Sequence, residues 1–238
     1  MPRYSVTLLS LLLLLAACSS CQAMWRFGFG GLLSLIGVNI LQSGPMRPDG
    51  KTPDDILGFP RGKARHHHLE FLTKAELQQL FFACAPKGAK DQSVLKSAAY
   101  QGRLLFSGVL SPCTYMLTHH LWPPVLIPGR WEGKTFEANG TGFNRFRRGL
   151  EDTQKARPFR WSWMPSRYDG KPALRLNYRD KNRYPAKYDG KRDGLLWALL
   201  WGGMTDELRP VNGRLWIGLG SVKAFGGASN SSPFTLTL

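Results

Sequence analysis

From residue 129 onward apolar and polar side chains alternate with a period of two, and that alternation restricts the second half of this 238-residue chain to antiparallel β-structure. In Pro158 to Pro165, Phe159, Trp161 and Trp163 share one face while Arg160 and Ser162 share the other. The turn Tyr168-Asp169-Gly170-Lys171 follows, and Leu174, Leu176 and Tyr178 then alternate with Arg175 and Asn177 in a returning strand. A second hairpin runs from Thr205 to Val211 and from Arg214 to Val222, about the Asn212-Gly213 pair favoured by type I′ turns, with Leu215, Ile217 and Leu219 on one face. Trp131 to Phe136, Gly142 to Phe146 and Phe234 to Leu238 bring the strands to at least seven, a number that suits a barrel or sandwich. The apolar run Gly194 to Gly203 is either a strand buried on both faces or a plug at the barrel's lip.

The first half reads differently. Residues 1–23 form a secretory signal, with Arg3 ahead of the apolar run Val6 to Ala17, so the chain is expected to be exported, either secreted or periplasmic. Cleavage follows Ala23 or, if Leu15-Ala16-Ala17-Cys18 is a lipobox, precedes a lipidated Cys18. Residues 24–65 comprise the apolar segment Met24 to Leu41, which is an anchor, an interfacial segment or a tail, and a flexible linker rich in Pro, Gly, Asp and Lys. Residues 66–128 are expected to be helical and to pack on the barrel of residues 129–238. Thr73-Lys74-Ala75-Glu76 is a capping box with Leu72 and Leu77 as its staple, and Ser111-Pro112 starts a second helix. Cys84 and Cys113 could bridge the two helices.

Gly129-Arg130-Trp131, at the mouth of the first strand of this half, resembles the GxW signature of lipocalins. The resemblance implies a mainly β fold: an antiparallel, calycin-like barrel with a helical N-terminal region. It also implies that Trp131 closes one end of the barrel beneath a late-strand cation, for which Arg209 and Arg214 are the candidates. An eight-stranded barrel either fills with side chains or holds one small ligand. The wall of such a site would be Trp131, Phe159, Trp161, Trp163, Leu176, Tyr178 and Ile217.

Charge points to partners. Thirty-two Lys and Arg against sixteen Asp and Glu leave a net +16, and residues 145–192 alone hold fifteen basic and five acidic side chains. Arg145, Arg147, Arg148, Lys181 and Arg183 are the candidate anion-binding surface, facing an anionic membrane or a polyanion; a signal peptide argues against nucleic acid. Asp206 and Glu207 alternate sides of a strand and cannot form an acid/base pair, so the role expected of Glu207 or Asp206 is to pair with a nearby Arg. His66-His67-His68 read as exposed and incidental, and Cys113 with His120 make a poor ligand set; no metal or cofactor is expected. With no nucleophile elbow, Walker loop or HExxH, a catalytic role has only scattered carboxylates behind it. The expectation is an exported barrel that binds an apolar or amphipathic small molecule near membranes. The alternative is a filled barrel that acts as a surface or adhesion module through its basic face.

Overall fold

A computed structural model describes residues 47–87, 97–105, 130–147, 153–178, 204–222 and 231–238, all within one compact unit, Pro45–Leu238. Eight antiparallel strands close into a barrel in simple up-and-down order. They are β1 (Ala99–Leu104), β2 (Arg130–Phe136), β3 (Thr141–Arg147), β4 (Thr153–Pro165), β5 (Pro172–Asn177), β6 (Met204–Pro210), β7 (Leu215–Val222) and β8 (Ser232–Thr237). Closure is made by β1 against β8, with Gly102 opposite Leu236 and Leu104 opposite Phe234. The expected hairpin of β4 and β5 has Trp161 opposite Leu176 and Trp163 opposite Leu174, so both rows point inward together.

The interior is aromatic and aliphatic. Tyr100, Phe136, Phe159, Leu174, Leu176, Leu208, Trp216, Phe234 and Leu236 meet there, drawn from strands all around the barrel. Rings stack edge to face, Tyr100 on Phe136 at 5.5 Å and Trp131 on Phe234 at 5.8 Å. Small residues sit beneath the large ones: a Cβ at Gly218 would lie 2.3 Å from the Phe234 ring.

Among the described residues, three short helices precede the barrel: α1 (Pro53–Leu57), α2 (His66–Leu69) and α3 (Lys74–Ala83), with a 3₁₀ turn at Arg61–Lys63. The Thr73/Glu76 capping box starts α3, as its spacing requires. Leu69, Leu77, Leu80 and Phe81 pack on the outer face of β7, against Leu215, Ile217 and Leu219. Arg209 locks the contact. Fully buried, it pairs with Asp169 at 2.7 Å, donates to the carbonyls of Phe81, Lys171 and Pro172, and lies 4.3 Å over the Phe81 ring.

Several expectations are corrected. The barrel begins at Ala99, inside the stretch expected to be helical, because Tyr100, Gly102 and Leu104 alternate inward and supply the strand that joins β8 to β2. The linker contains α1, built on a capping box of Thr52 with Asp55 and Pro53 at the first helical position. Leu215, Ile217 and Leu219 face the helices and not the interior, since β7 is covered on both sides and its alternation alone leaves the two faces undistinguished. The β6–β7 turn is not type I′: neither Asn212 nor Gly213 has positive φ, and Asn212 Oδ1 instead accepts from the backbone N–H groups of Arg214 and Leu215. Cys84 is a free, buried thiol, and burial pushes it up to about 12; Cys113, its expected partner, lies outside the described residues. The signal and apolar segments, Cys18, the helix from Ser111 with Cys113 and His120, and the run Gly194 to Gly203 lie outside the described residues.

Candidate functional site

The polar centre of the barrel is set up by a bulge in β2. Register shifts between Trp131 and Gly133, and Gly133 has φ 134. A Cβ there would lie 2.1 Å from the Tyr100 carbonyl oxygen, so the backbone of β1 passes where any other residue would put its side chain. The extra residue turns Glu132 outward to Arg147, at 2.6 Å, and lets Trp131 and Lys134 both reach the interior. Without the bulge, residues three apart would lie on opposite faces.

Lys134, 2% exposed, uses all three of its ammonium hydrogens inside the barrel: to Asp206 Oδ2 at 2.8 Å, to Asn144 Oδ1 at 2.7 Å and to the Tyr178 hydroxyl oxygen at 2.7 Å. Tyr178 in turn donates to Asp206 Oδ2 at 2.7 Å. Trp131 Nε1 donates to Asn144 Oδ1 at 3.0 Å, and Asn144 Nδ2 donates to the Arg157 carbonyl. Four ring centroids, of Trp131, Phe159, Tyr178 and Phe234, lie 5.2 to 5.5 Å from Lys134 Nζ and turn their negative faces to it. One atom is left over. Asp206 Oδ1 is buried with no hydrogen-bond donor among the described residues. Across the ladder from it is Gly220, where a Cβ would be only 3.0 Å from that oxygen, so a glycine here keeps the carboxylate from being crowded.

Burial dominates the electrostatics. Loss of water holds the Lys134 amine below the usual lysine range, although the Asp206 carboxylate pulls the other way. Burial and the same carboxylate hold the Tyr178 phenol well above its ordinary value, so it stays a donor. The arrangement therefore presents an amine, a phenol and a carboxylate within one hydrogen-bond length of each other, shielded from water. Connections at the two ends differ: the turns 137–140, 166–171 and 211–214 are short, whereas β1–β2 and β5–β6 are joined by about 25 residues each. Tyr178, directly after β5, puts the polar centre toward the end with the long connections.

Of the residues expected to line a ligand site, Trp131, Phe159, Trp161, Trp163, Leu176 and Tyr178 come together in the interior, and Ile217 lies outside it under α3. The cation beside Trp131 is Lys134. Arg209 is committed to Asp169 and Phe81 on the outer wall, and Arg214 is exposed in the β6–β7 turn. Of the anion-binding set, Arg145 donates to the carbonyls of Tyr100 and Glu132, and Arg147 pairs with Glu132; Arg148, Lys181 and Arg183 lie outside the described residues. Glu207 pairs with Arg175 and Arg167, the kind of partner expected for it or for Asp206, and Asp206 pairs with Lys134. His66 is not incidental: it is half-buried on α2, with Nδ1 2.6 Å from Thr235 Oγ1 of β8. No group of three or more metal-ligating side chains occurs among the described residues.

Sequence reasoning missed Lys134 and Asn144, and left open which side of its strand Asp206 would face. A signal was present for one of them: Asp206 falls at period two between Met204 and Leu208, a charge in an apolar row, whereas Lys134 falls between Glu132 and Phe136 and carries no such mark.

No protein-family model matches the chain, and no curated protein matches it. Among solved structures, a protein from Thermomonospora curvata is similar at 15% identity, over 70% of this chain and 87% of that one, with a TM-score of 0.42. A likeness at that score carries no argument, and the barrel rests on its own strand pairing.

Proposed function

We propose that the barrel is a receptor for a small amphipathic molecule, whose apolar body lies against the interior rings and whose head group donates a hydrogen bond to Asp206 Oδ1. The observation that carries this reading is the buried, ion-paired network with one carboxylate oxygen left without a donor. A barrel that needed only to be stable would gain as much from apolar side chains in that layer, because burying an ion pair costs about what its attraction returns. An orphaned buried acceptor beside a glycine is what a site prepared for a donor looks like. The GxW resemblance to lipocalins, and export directed by residues 1–23, belong to the same proposal.

The test is a titration of the full chain with decanol, followed by quenching of tryptophan fluorescence. Saturable quenching is expected, with decyl methyl ether binding about ten- to a hundredfold more weakly because it leaves Asp206 unpaired. The absence of saturation with both compounds would sink the proposal. A second reading, a filled barrel that acts through its basic face, draws on the rings that sit over Gly102, Gly142 and Gly218. It expects no titration and a salt-sensitive retention on heparin instead.

A further inference from the structure

We propose that Lys134 captures aldehydes: its amine forms an iminium bond with an amphipathic aldehyde inside the barrel, while Asp206 and Tyr178 carry the protons. The inference rests on the receptor reading and adds to it a covalent step and a chemical class of ligand. It starts from three distances. Nζ is 2.8 Å from Asp206 Oδ2 and 2.7 Å from the Tyr178 oxygen, and that phenol is 2.7 Å from the same carboxylate oxygen. Nucleophile, proton acceptor and proton donor are thus in mutual contact.

The step balances without an oxidant or reductant. The ammonium passes one proton to Asp206, and the freed lone pair forms a bond to the aldehyde carbon. The carbonyl π pair moves onto oxygen, which takes a proton from Tyr178. The nitrogen gives up a second proton, which returns through Asp206 to restore the phenol. The nitrogen lone pair then expels the hydroxyl group as water, which leaves with the proton held on Asp206. An aldehyde and an ammonium become an iminium and one water, and the carboxylate is regenerated. Charge is conserved in place: the iminium is positive where the ammonium was, against the same carboxylate and among the same four rings. A site built to hold a cation at that point holds the product as well. The depressed affinity of this amine for its proton favours the first transfer.

The experiment exposes the full chain to decanal with cyanoborohydride, which fixes an iminium as a stable secondary amine, and maps the decyl adduct by peptide mass spectrometry. Lys134 is expected to be labelled about tenfold faster than the exposed Lys155 and Lys171. Labelling at the barrel interior should vanish in Lys134→Arg and slow by about a hundredfold in Tyr178→Phe. The wild-type map decides the matter even where a variant fails to fold. Adducts spread over exposed lysines, with Lys134 spared, overturn the inference. If decanol still saturates the tryptophan signal in that case, the receptor reading stands alone; if it does not, both fall together.

Discussion

Lys134 and Asp206 show how unevenly a buried pair responds to change. Asp206→Asn removes one charge and leaves the ammonium, which is otherwise enclosed by rings, without a counter-ion. The expected loss is about 3–5 kcal/mol in urea unfolding at neutral pH, whereas replacing both residues, Lys134→Met with Asp206→Leu, should cost little or stabilise. A double replacement that is as damaging as the single one would mean that the pair holds the fold and is not retained for binding. His66 is a half-buried titratable group. Its surroundings are Thr235 on β8, with Arg103, Glu70 and His67 nearby, and burial foremost, then the Arg103 charge, lower its pKa from 6.5 to about 4. Between those values the unfolded chain binds a proton that the folded chain refuses, so stability should fall as pH drops from about 6.5 to about 4 and level off below. With allowance for its partial exposure the loss is on the order of 1–2 kcal/mol, and His66→Gln should flatten the slope in urea melts across that range.

Among the elements, the β2 bulge and the outer wall of β6 do the positioning. Gly133→Ala forces a Cβ onto the Tyr100 carbonyl at a φ that side chains resist, so a loss of about 2–4 kcal/mol is expected, with a shift in Trp131 fluorescence as the ring leaves Asn144. Gly213→Ala, with open space around it and no positive φ, should stay within about 0.5 kcal/mol and serves as the control. On the other side of the sheet, Arg209 spends all five of its donors tying β6 to Asp169, Pro172, Lys171 and the end of α3. Arg209→Met strands Asp169 and frees the helix. Amide exchange across Lys74–Ala83 should rise while the strands of the barrel keep their protection. Equal loss of protection in α3 and β3 would show instead that helix and barrel unfold as one unit.

At the scale of the molecule, closure decides what the interior is. β8 pairs with both β7 and β1, so deleting Ser232–Leu238 opens two sheet edges and removes Phe234 from the Lys134 site. Such a chain should lose cooperative unfolding by circular dichroism and tend to aggregate; a retained sharp transition would contradict a closed barrel. Period-two patterning made the strands of β2 to β8 and the β4–β5 hairpin legible, and the Thr73/Glu76 signature located α3, because these depend on neighbours in sequence. The capping box at Thr52 carries the same kind of signal, within a stretch whose Pro and Gly content reads as a linker. The choice of which face of β7 looks inward was not legible, since both faces are buried and only the partners on each side differ. Nor was the polar centre, whose members are spread from residue 134 to residue 206 and meet through a bulge that turns Lys134 inward together with Trp131. The chain by itself determined that its second half would be an antiparallel sheet with an aromatic side, for alternation is a local property of covalent geometry. Tertiary structure alone decided which charges that sheet would enclose, because burial and pairing exist only once distant strands have closed around them.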